Sequence, residues 1–313
     1  MKKKDVLIII VTYNGAKWIR KCIESIYESN YEHFQIFVVD NASSDDTIEI
    51  LNAFPNIILH KSPFNLGFGQ ANNIGMKYAL EKEYDYVFLL NQDTWIEKET
   101  ITNLVQSSLQ NPDYGIIAPM HYFSDEKSLE YFFSTRIAPN YCKNLISDYI
   151  VKGKENMDSV YSINFIHAAA WLINNETLKN VGGFDPLFFH YGEDNNYCQR
   201  VLFQGRKIGI NPHSIMYHDC KVHNPDEIKS SEQEVKSRIL QNLVGLADVR
   251  TSSNQPVYLA PLRLFKKTII DLFKVNFRDT AINFKVGKEV LSLASKITDS
   301  KVRNRIKGPN HLR

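Results

Sequence analysis

The 313-residue chain has only four cysteines, Cys22, Cys142, Cys198 and Cys220, and no two of them form a CxxC pair. That scatter excludes a disulfide framework and a zinc ribbon, and leaves reduced, buried thiols. Long apolar runs are missing too. The longest aliphatic stretch is Val6 to Val11, far short of the roughly 20 residues a spanning helix needs. Met1-Lys2-Lys3-Lys4 opens like a signal peptide, but the apolar stretch behind it is short and no small-residue cleavage site follows. The expectation is a cytoplasmic chain whose first strand has a basic lead-in. A complete glycine fingerprint is also absent. Asn65-Leu66-Gly67-Phe68-Gly69 holds GxG without a third glycine and follows the third strand, and GxxxxGK[ST] does not occur. Dinucleotide and ATP phosphate cradles are therefore unsupported.

What is present is a globular balance, 43% hydrophobic and 23% charged, with 18 Phe and 16 Tyr. This is enough to build a core and excludes a disordered or fibrous chain. The net charge of +2 hides an asymmetry. Arg263 to Arg313 carries 13 Lys/Arg against 4 Asp/Glu, leaving 24 against 31 in residues 1–262. An acidic body of net −7 bears a basic tail of net +9, and such a tail suits an anionic surface.

Strand and helix signals alternate through the first 95 residues. Val6–Val11, Gln35–Val39, Ile57–His60 and Tyr86–Leu90 are apolar and β-branched or aromatic, as strands are. Ala16–Tyr27, Thr47–Phe54 and Gly69–Leu80 carry helical spacing. This order predicts a parallel sheet with right-handed crossovers, whose functional side chains lie at the carboxyl ends of the strands. Those ends are Thr12-Tyr13-Asn14, Asp40-Asn41 and Asn91-Gln92-Asp93. Further along, Gly115–Pro119, Ser162–Ile173 and Lys207–Met216 are strand-like, and Tyr122–Lys154 is aromatic and irregular. Ser231–Val249 and Arg263–Ile297 have helical patterns, joined by a linker at Thr251–Pro256.

Several residues have chemistry to offer. Asp40 can accept from a ribose hydroxyl or a base N–H, or cap a turn. Asp93 suits a hard divalent cation such as Mg²⁺ or Mn²⁺, which leaves positions for substrate phosphates, or it too can cap. Glu193-Asp194 follows the aromatic run Phe188-Phe189-His190-Tyr191. Desolvation and like charge raise the pKa of such a pair toward that of a general base; the alternative is a solvated acidic loop. His218 can ligate a metal or serve structure alone.

Taken in order, these segments resemble glycosyltransferase family 2, the inverting nucleotide-sugar enzymes of GT-A fold, in the rhamnosyltransferase and galactofuranosyltransferase branch. The matching stretches are Val11-Thr12-Tyr13-Asn14, Val39-Asp40-Asn41-Ala42-Ser43-Ser44-Asp45, Asn65-Leu66-Gly67-Phe68-Gly69, Leu90-Asn91-Gln92-Asp93-Thr94, Gly182-Gly183-Phe184-Asp185 and Glu193-Asp194. The likeness spans roughly residues 5–245 and implies an α/β, Rossmann-like nucleotide-sugar domain around a mostly parallel sheet. It assigns Thr12, Asn14, Asp40, Asn65, Gly67, Asn91 and Gln92 to the nucleotide pocket of a UDP- or dTDP-sugar. Asp93, completed by His218, would hold Mg²⁺ or Mn²⁺. Glu193 and Trp171 would line the sugar side, and Asp194 would take the proton from the acceptor hydroxyl. That acceptor would be a glycan or a lipid-linked glycan of bacterial-type polysaccharide synthesis. Two departures stand out: Asn91 replaces the first Asp of the metal triplet, and Asn196 replaces the second Asp of Glu-Asp-x-Asp.

The expected division is a catalytic domain over residues 1–250 and basic amphipathic helices over 251–313. Those helices suit an anionic membrane face, which would make the chain peripheral, or packing on the body. Their apolar faces could also serve a homodimer. Nucleic acid is not an expected partner, because the acidic body repels phosphates. The competing reading is a catalytically silent glycosyltransferase-like subunit that binds glycan or a partner enzyme. A nicotinamide-dependent reductase would need the fingerprint the chain lacks.

Overall fold

The computed structural model describes residues 4–220, 230–251 and 257–312. Its elements are β1 (Val6–Thr12), α1 (Ile19–Tyr27), β2 (Phe34–Asp40), α2 (Thr47–Asn52), β3 (Ile57–Lys61), α3 (Phe68–Glu81), β4 (Tyr86–Asn91), β5 (Thr94–Ile96), α4 (Thr100–Gln110) and β6 (Tyr114–Phe123). There follow α5 (Tyr131–Arg136), α6 (Leu145–Lys152), β7 (Tyr161–Ile163), β8 (Ala170–Asn174), α7 (Asn175–Val181), α8 (Glu193–Phe203), β9 (Lys207–His218), α9 (Ser231–Leu246), α10 (Leu259–Phe273), α11 (Phe277–Ser292) and α12 (Ala294–Arg305).

The strands form one mixed sheet in the order β3-β2-β1-β4-β8-β6-β9-β5, with β7 also paired to β9. Strands β1 to β4 are mutually parallel, and β6 runs parallel to β9 over the longest ladder. Strand β8 is antiparallel to β4 and β6, so the sheet is mixed but mostly parallel by register length. Strand β1 shows why the chain layers as it does. Val6, Ile8 and Ile10 enter the core shared with Ile19, Cys22 and Ile23 of α1 and Leu104 of α4. Leu7 and Ile9 enter the other core, with Ala71, Met76 and Ala79 of α3. All five strand residues are fully buried. A strand covered on both faces has no solvent side, so its sequence is a continuous apolar run. Each such side chain contributes about 1.5–3 kcal/mol of burial.

Two expectations need correction. The strand over Ser162–Ile173 is two strands, β7 and β8, because their partners lie in different parts of the sheet: β7 pairs β9, whereas β8 pairs β4 and β6. The helical pattern over Arg263–Ile297 is three helices, with a first break at Val275, whose φ is +57°, and a second at Leu293. The linker expected at 251–256 lies outside the described residues beyond Thr251.

The C-terminal helices are fastened to the body. Ala294 and Ile297 share a hydrophobic cluster with Phe188, Leu243, Ala247 and Val257. Asp185, from the Gly-Gly-Phe-Asp stretch, is buried beneath them. Its carboxylate accepts from the Leu187 N–H at 2.8 Å, the Ser300 hydroxyl at 2.6 Å and the Asn304 amide. Burial alone would raise its pKa; His311 beside it and these donors hold it below the usual carboxylate range instead. Arg200 donates to the carbonyls of Gly183 and Val181, which clamps the glycine turn from inside. Asp185 is thus a latch between the turn and α12. Asp185→Ala would strand three donors, two of them in buried contacts, and should cost about 3 kcal/mol or more, read as a lower denaturant midpoint with the slope unchanged.

Candidate active site

The parallel register places the ends of three strands level: Thr12 pairs Asp40, and Val11 pairs Asn91. Polar side chains then tie the loops that leave them. The Thr12 hydroxyl donates to the side-chain Oε1 of Gln92 at 2.6 Å, which also accepts from the Tyr13 N–H at 3.0 Å. Asn14 takes a positive φ of 48° and accepts from the Ser44 N–H at 2.9 Å. The Asp40 carboxylate is buried. One oxygen accepts from the Ser43 N–H at 3.2 Å and the other, Oδ1, has no protein partner. This oxygen is an unmet acceptor at a strand end, and at 3% exposure a ligand donor would reach it only where the loops over it part.

Asn41, which the sequence reading did not assign, clasps the glycine-rich loop. Its amide donates to Asn65 Oδ1 at 3.0 Å, and its oxygen accepts from the Leu66 N–H at 2.8 Å. Asn65 in turn accepts from the Gly67 N–H at 2.8 Å. Gly67 has φ +77°, and a Cβ there would stand 2.2 Å from the Phe189 carbonyl. Only glycine allows this approach, which brings the loop before α8 onto the strand ends. The result is a cleft of about 400 Å³ walled by Tyr13, Asn65, Gly67, Asn91, Gln92, Asp93 and Phe189, among others. A second cleft, about 480 Å³ beside Asp5, His33 and Tyr84, opens at the amino ends of the strands and holds none of these groups.

At the mouth, Asp93 meets His218, with Nε2 to Oδ1 at 3.4 Å. The antiparallel pairing of Thr94 with His218 creates this contact across 125 residues. Burial would lower the His218 pKa, but the hydrogen bond and charge of Asp93, with Glu130 and Asp219 behind, raise it above the ordinary value. Asp219 is held apart by Lys17 and Trp18, each 2.7 Å away, and its pKa falls to about 2, chiefly through the Lys17 hydrogen bond. The pair fits a divalent cation. One carboxylate and one imidazole at cis-ligand spacing leave the remaining positions for phosphate oxygens and water. No trio of His, Cys, Asp or Glu able to hold a metal occurs among the described residues. Among the described residues no Lys or Arg lines the cleft, so a cation held there would add positive charge beside a diphosphate.

Helix α8 begins with Glu193 and Asp194, after Gly192 in the left-handed region at φ +88°. Burial pushes Asp194 up to about 6, against the Asn195 N–H and Arg136, which lower it. Burial, then the Asp194 charge, pushes Glu193 up to about 7, and Glu193 Oε2 is buried without a protein partner. Asn196, one turn on, is buried with neither side-chain atom paired.

Two assignments shift. Trp171 is fully buried against Phe184 and Tyr197, at ring distances of 6.2 and 5.8 Å, so it lies behind the cleft and not on its wall. Thr12 is fully buried as well, with its hydroxyl committed to Gln92; it positions the loop and offers no surface to a ligand. Near His218 lies a cluster that sequence reasoning missed. His121 is buried 3.7 Å from Glu130 and stacks on Phe133 at 4.7 Å, while His167, its pKa lowered by burial to about 4, feels the same carboxylate. Their segments are irregular, and no spacing signalled the meeting.

A family model for glycosyl transferase family 2 matches residues 7–181. The chain belongs to this family, and it is a glycosyltransferase of GT-A fold. Among its relatives is the rhamnosyltransferase WbbL of Escherichia coli, 28% identical over 232 residues, covering 68% of this chain and 84% of the relative. The dTDP-rhamnosyl transferase RfbF of Shigella flexneri is 26% identical over 214 residues, 68% of this chain and 69% of its own. In fold the chain is similar to Staphylococcus aureus TarS residues 1–349 solved with UDP, at a TM-score of 0.55 and 14% identity, covering 92% and 91% of the two chains. It is also similar to the Pyrobaculum calidifontis mannosyltransferase solved with GDP-Man and Mn²⁺, at 0.53 and 17%, covering 95% and 76%.

If Asp194 is the base, it works only when ionised. Its raised pKa then sets an acid limb: kcat should fall tenfold per unit as pH drops below about 6 and level off above it. A profile flat from about pH 5 to about pH 7, roughly a unit either side of the base's shifted pKa, would remove Asp194 from the role.

Proposed function

We propose that this glycosyltransferase moves a rhamnosyl- or galactosyl-type sugar from a dTDP- or UDP-sugar to a glycan or lipid-linked glycan, inverting the anomeric centre. The observation that carries the reading is the meeting of Asp93 and His218 at 3.4 Å, level with the strand ends that hold Asp40. The rhamnosyltransferase relatives support the sugar class, and the dTDP in one relative's name supports the nucleotide.

Asp40 would accept from the ribose or base through its free oxygen, and Asn65, Gly67, Asn91 and Gln92 would shape the pocket around the nucleotide. Mg²⁺ or Mn²⁺ held by Asp93 and His218 would stabilise the charge on the departing diphosphate. Asp194 would take the proton from the attacking hydroxyl on the side opposite the leaving group. One in-line displacement results, without a covalent enzyme intermediate. Glu193, more basic than its neighbour, would be about half protonated near neutrality and so carry less than a full second negative charge in the site.

The test is a thermal-shift panel of uridine, thymidine and guanosine diphosphates and their sugars, with Mn²⁺, Mg²⁺ or chelator. A ligand at 100 times its Kd adds about 2.7 kcal/mol. The expected result is a metal-dependent shift for the thymidine or uridine series, lost in Asp93→Ala. Asp194→Asn should keep the shift and lose transfer by about 10²–10⁴-fold. No shift with any nucleotide at millimolar concentration would overturn the donor site and favour a silent, glycan-binding subunit.

A further inference from the structure

The C-terminal helices resolve into a packed side and an unpacked side. Ile282, Val286 and Val290 of α11 are buried against Val235, Ile239 and Leu246 of α9 and Leu264 of α10. The other side carries large apolar residues in the open. On α10, Leu262, Ile269 and Phe273 lie at helical spacing with Lys266 between them, and Phe273 is 84% exposed. The turn adds Val275, and α11 continues the patch with Phe277 and Phe284, each more than half exposed. Phe265 of α10 touches Phe284 across the hairpin, with ring centroids 6.0 Å apart, which joins the two helices' apolar stripes.

The charges around this patch have one sign. Arg263, Lys266, Lys267 and Lys274 flank it, and none of the four has a carboxylate partner among the described residues. The only acid on α10, Asp271, is buried and bonded to Asn283 at 2.7 Å. Asp279 on α11 is taken by Arg238 at 3.1 Å. No helix among the described residues is long and apolar enough to cross a membrane. An apolar ridge rimmed by unpaired cations is the profile of a surface that lies in a bilayer interface.

We infer that the α10–α11 hairpin, with Phe273 and Phe277 leading at its tip, docks this protein on an anionic lipid bilayer. Phe273, Val275 and Phe277 would enter the headgroup boundary, and the lysines would extend along it to the phosphates. A second copy of the chain fits the patch less well. A two-fold contact sets the same patch against itself, which would bring Lys266, Lys267 and Lys274 against their own copies. The acidic body adds direction, since an anionic surface repels it and attracts the hairpin. The hairpin is also close to the candidate base in the fold. It packs on α9, and Leu240 and Val244 of α9 crowd Gly192, where a Cβ would meet them at 2.7 and 3.0 Å. A docked hairpin would therefore place the start of α8 one helix from the lipid, where a lipid-linked acceptor would arrive. That last step rests on the proposed transfer reaction; the docking itself does not.

The test uses the full chain with chelator present, floated with vesicles of phosphatidylcholine alone or with about 30 mol % phosphatidylglycerol. Binding is expected only with phosphatidylglycerol, and high salt should release it. Each cation removed should weaken binding about fivefold, so Lys266→Gln/Lys267→Gln/Lys274→Gln should lose about 100-fold. Phe273→Ser/Phe277→Ser should lose binding at least as far. Both variants alter exposed residues, and both should keep the wild-type melting temperature and nucleotide shift. Those controls separate failure of docking from failure of the donor site. Binding to neither vesicle, or wild-type binding by the Phe273→Ser/Phe277→Ser variant, would overturn the inference. So would a lipid-free dimer by light scattering that the same variant dissociates, which would assign the patch to a second copy.

Discussion

The site depends on the double burial of the parallel strands. Val6 to Ile10 have no exposed surface, and the helices on both faces leave polar side chains no place within the strand. Where β1, β2 and β4 end, that restriction lifts at one level, because the register fixes Thr12 beside Asp40 and Val11 beside Asn91. The hydrogen bonds of Gln92 and Asn41 then hold the loops that apolar packing cannot reach. The cleft is the consequence of a core that stops abruptly along one edge.

Within that edge the carboxylates are sorted by their neighbours. Asp219 falls to about 2 because Lys17, Trp18 and Ser124 donate to it. Asp194 rises to about 6 and Glu193 to about 7 because burial removes water and supplies little in return. Asp93 faces an imidazole. Four acids of nearly identical intrinsic strength thus take different states: Asp219 is a fixed anion, Asp194 and Glu193 titrate close to neutrality, and Asp93 is paired with an imidazole. Environment sets such roles in acid–base sites generally.

Much of this was legible in the sequence, for a reason that also marks the limit. Apolar runs announce strands buried on both faces, and the polar residues directly after them mark the strand-end edge, so Asp40, Asn91, Gln92 and Asp93 were singled out by position, while Asn65 and Gly67 were added by the family resemblance. Trp171 was misplaced because an aromatic in an Ala-rich stretch looks the same whether it lines a cleft or sits behind one; only its contacts with Phe184 and Tyr197 decide. Asp185 looked like part of a functional motif and proved to be a latch, since its partners, Ser300 and Asn304, lie more than 100 residues away. The His121–Glu130 pair had no signal, because it is made by a loop closing on a strand. The tail's periodicity was visible, but its breaks at Val275 and Leu293 were not, since helical spacing carries on through a turn of suitable length.

The charge asymmetry ties the two ends of the molecule together. A nucleotide diphosphate is itself an anion, and under the proposed reaction it would enter a body of net −7 through a cleft with no Lys or Arg among the described residues of its walls. Attraction at long range would come from the basic tail, which lies on other elements, and the described walls of the cleft add no lysine or arginine of their own. On the proposed reading, a divalent cation at Asp93 and His218 would supply charge where the phosphates would sit, and only while it is bound. Donor capture would then be conditional on metal, whereas the tail's cations remain free to engage a surface. If both proposals hold, separating the two positive charges, one exchangeable at the strand ends and one fixed on the hairpin, would let an acidic protein bind an anionic substrate and approach an anionic surface without either competing for the same residues.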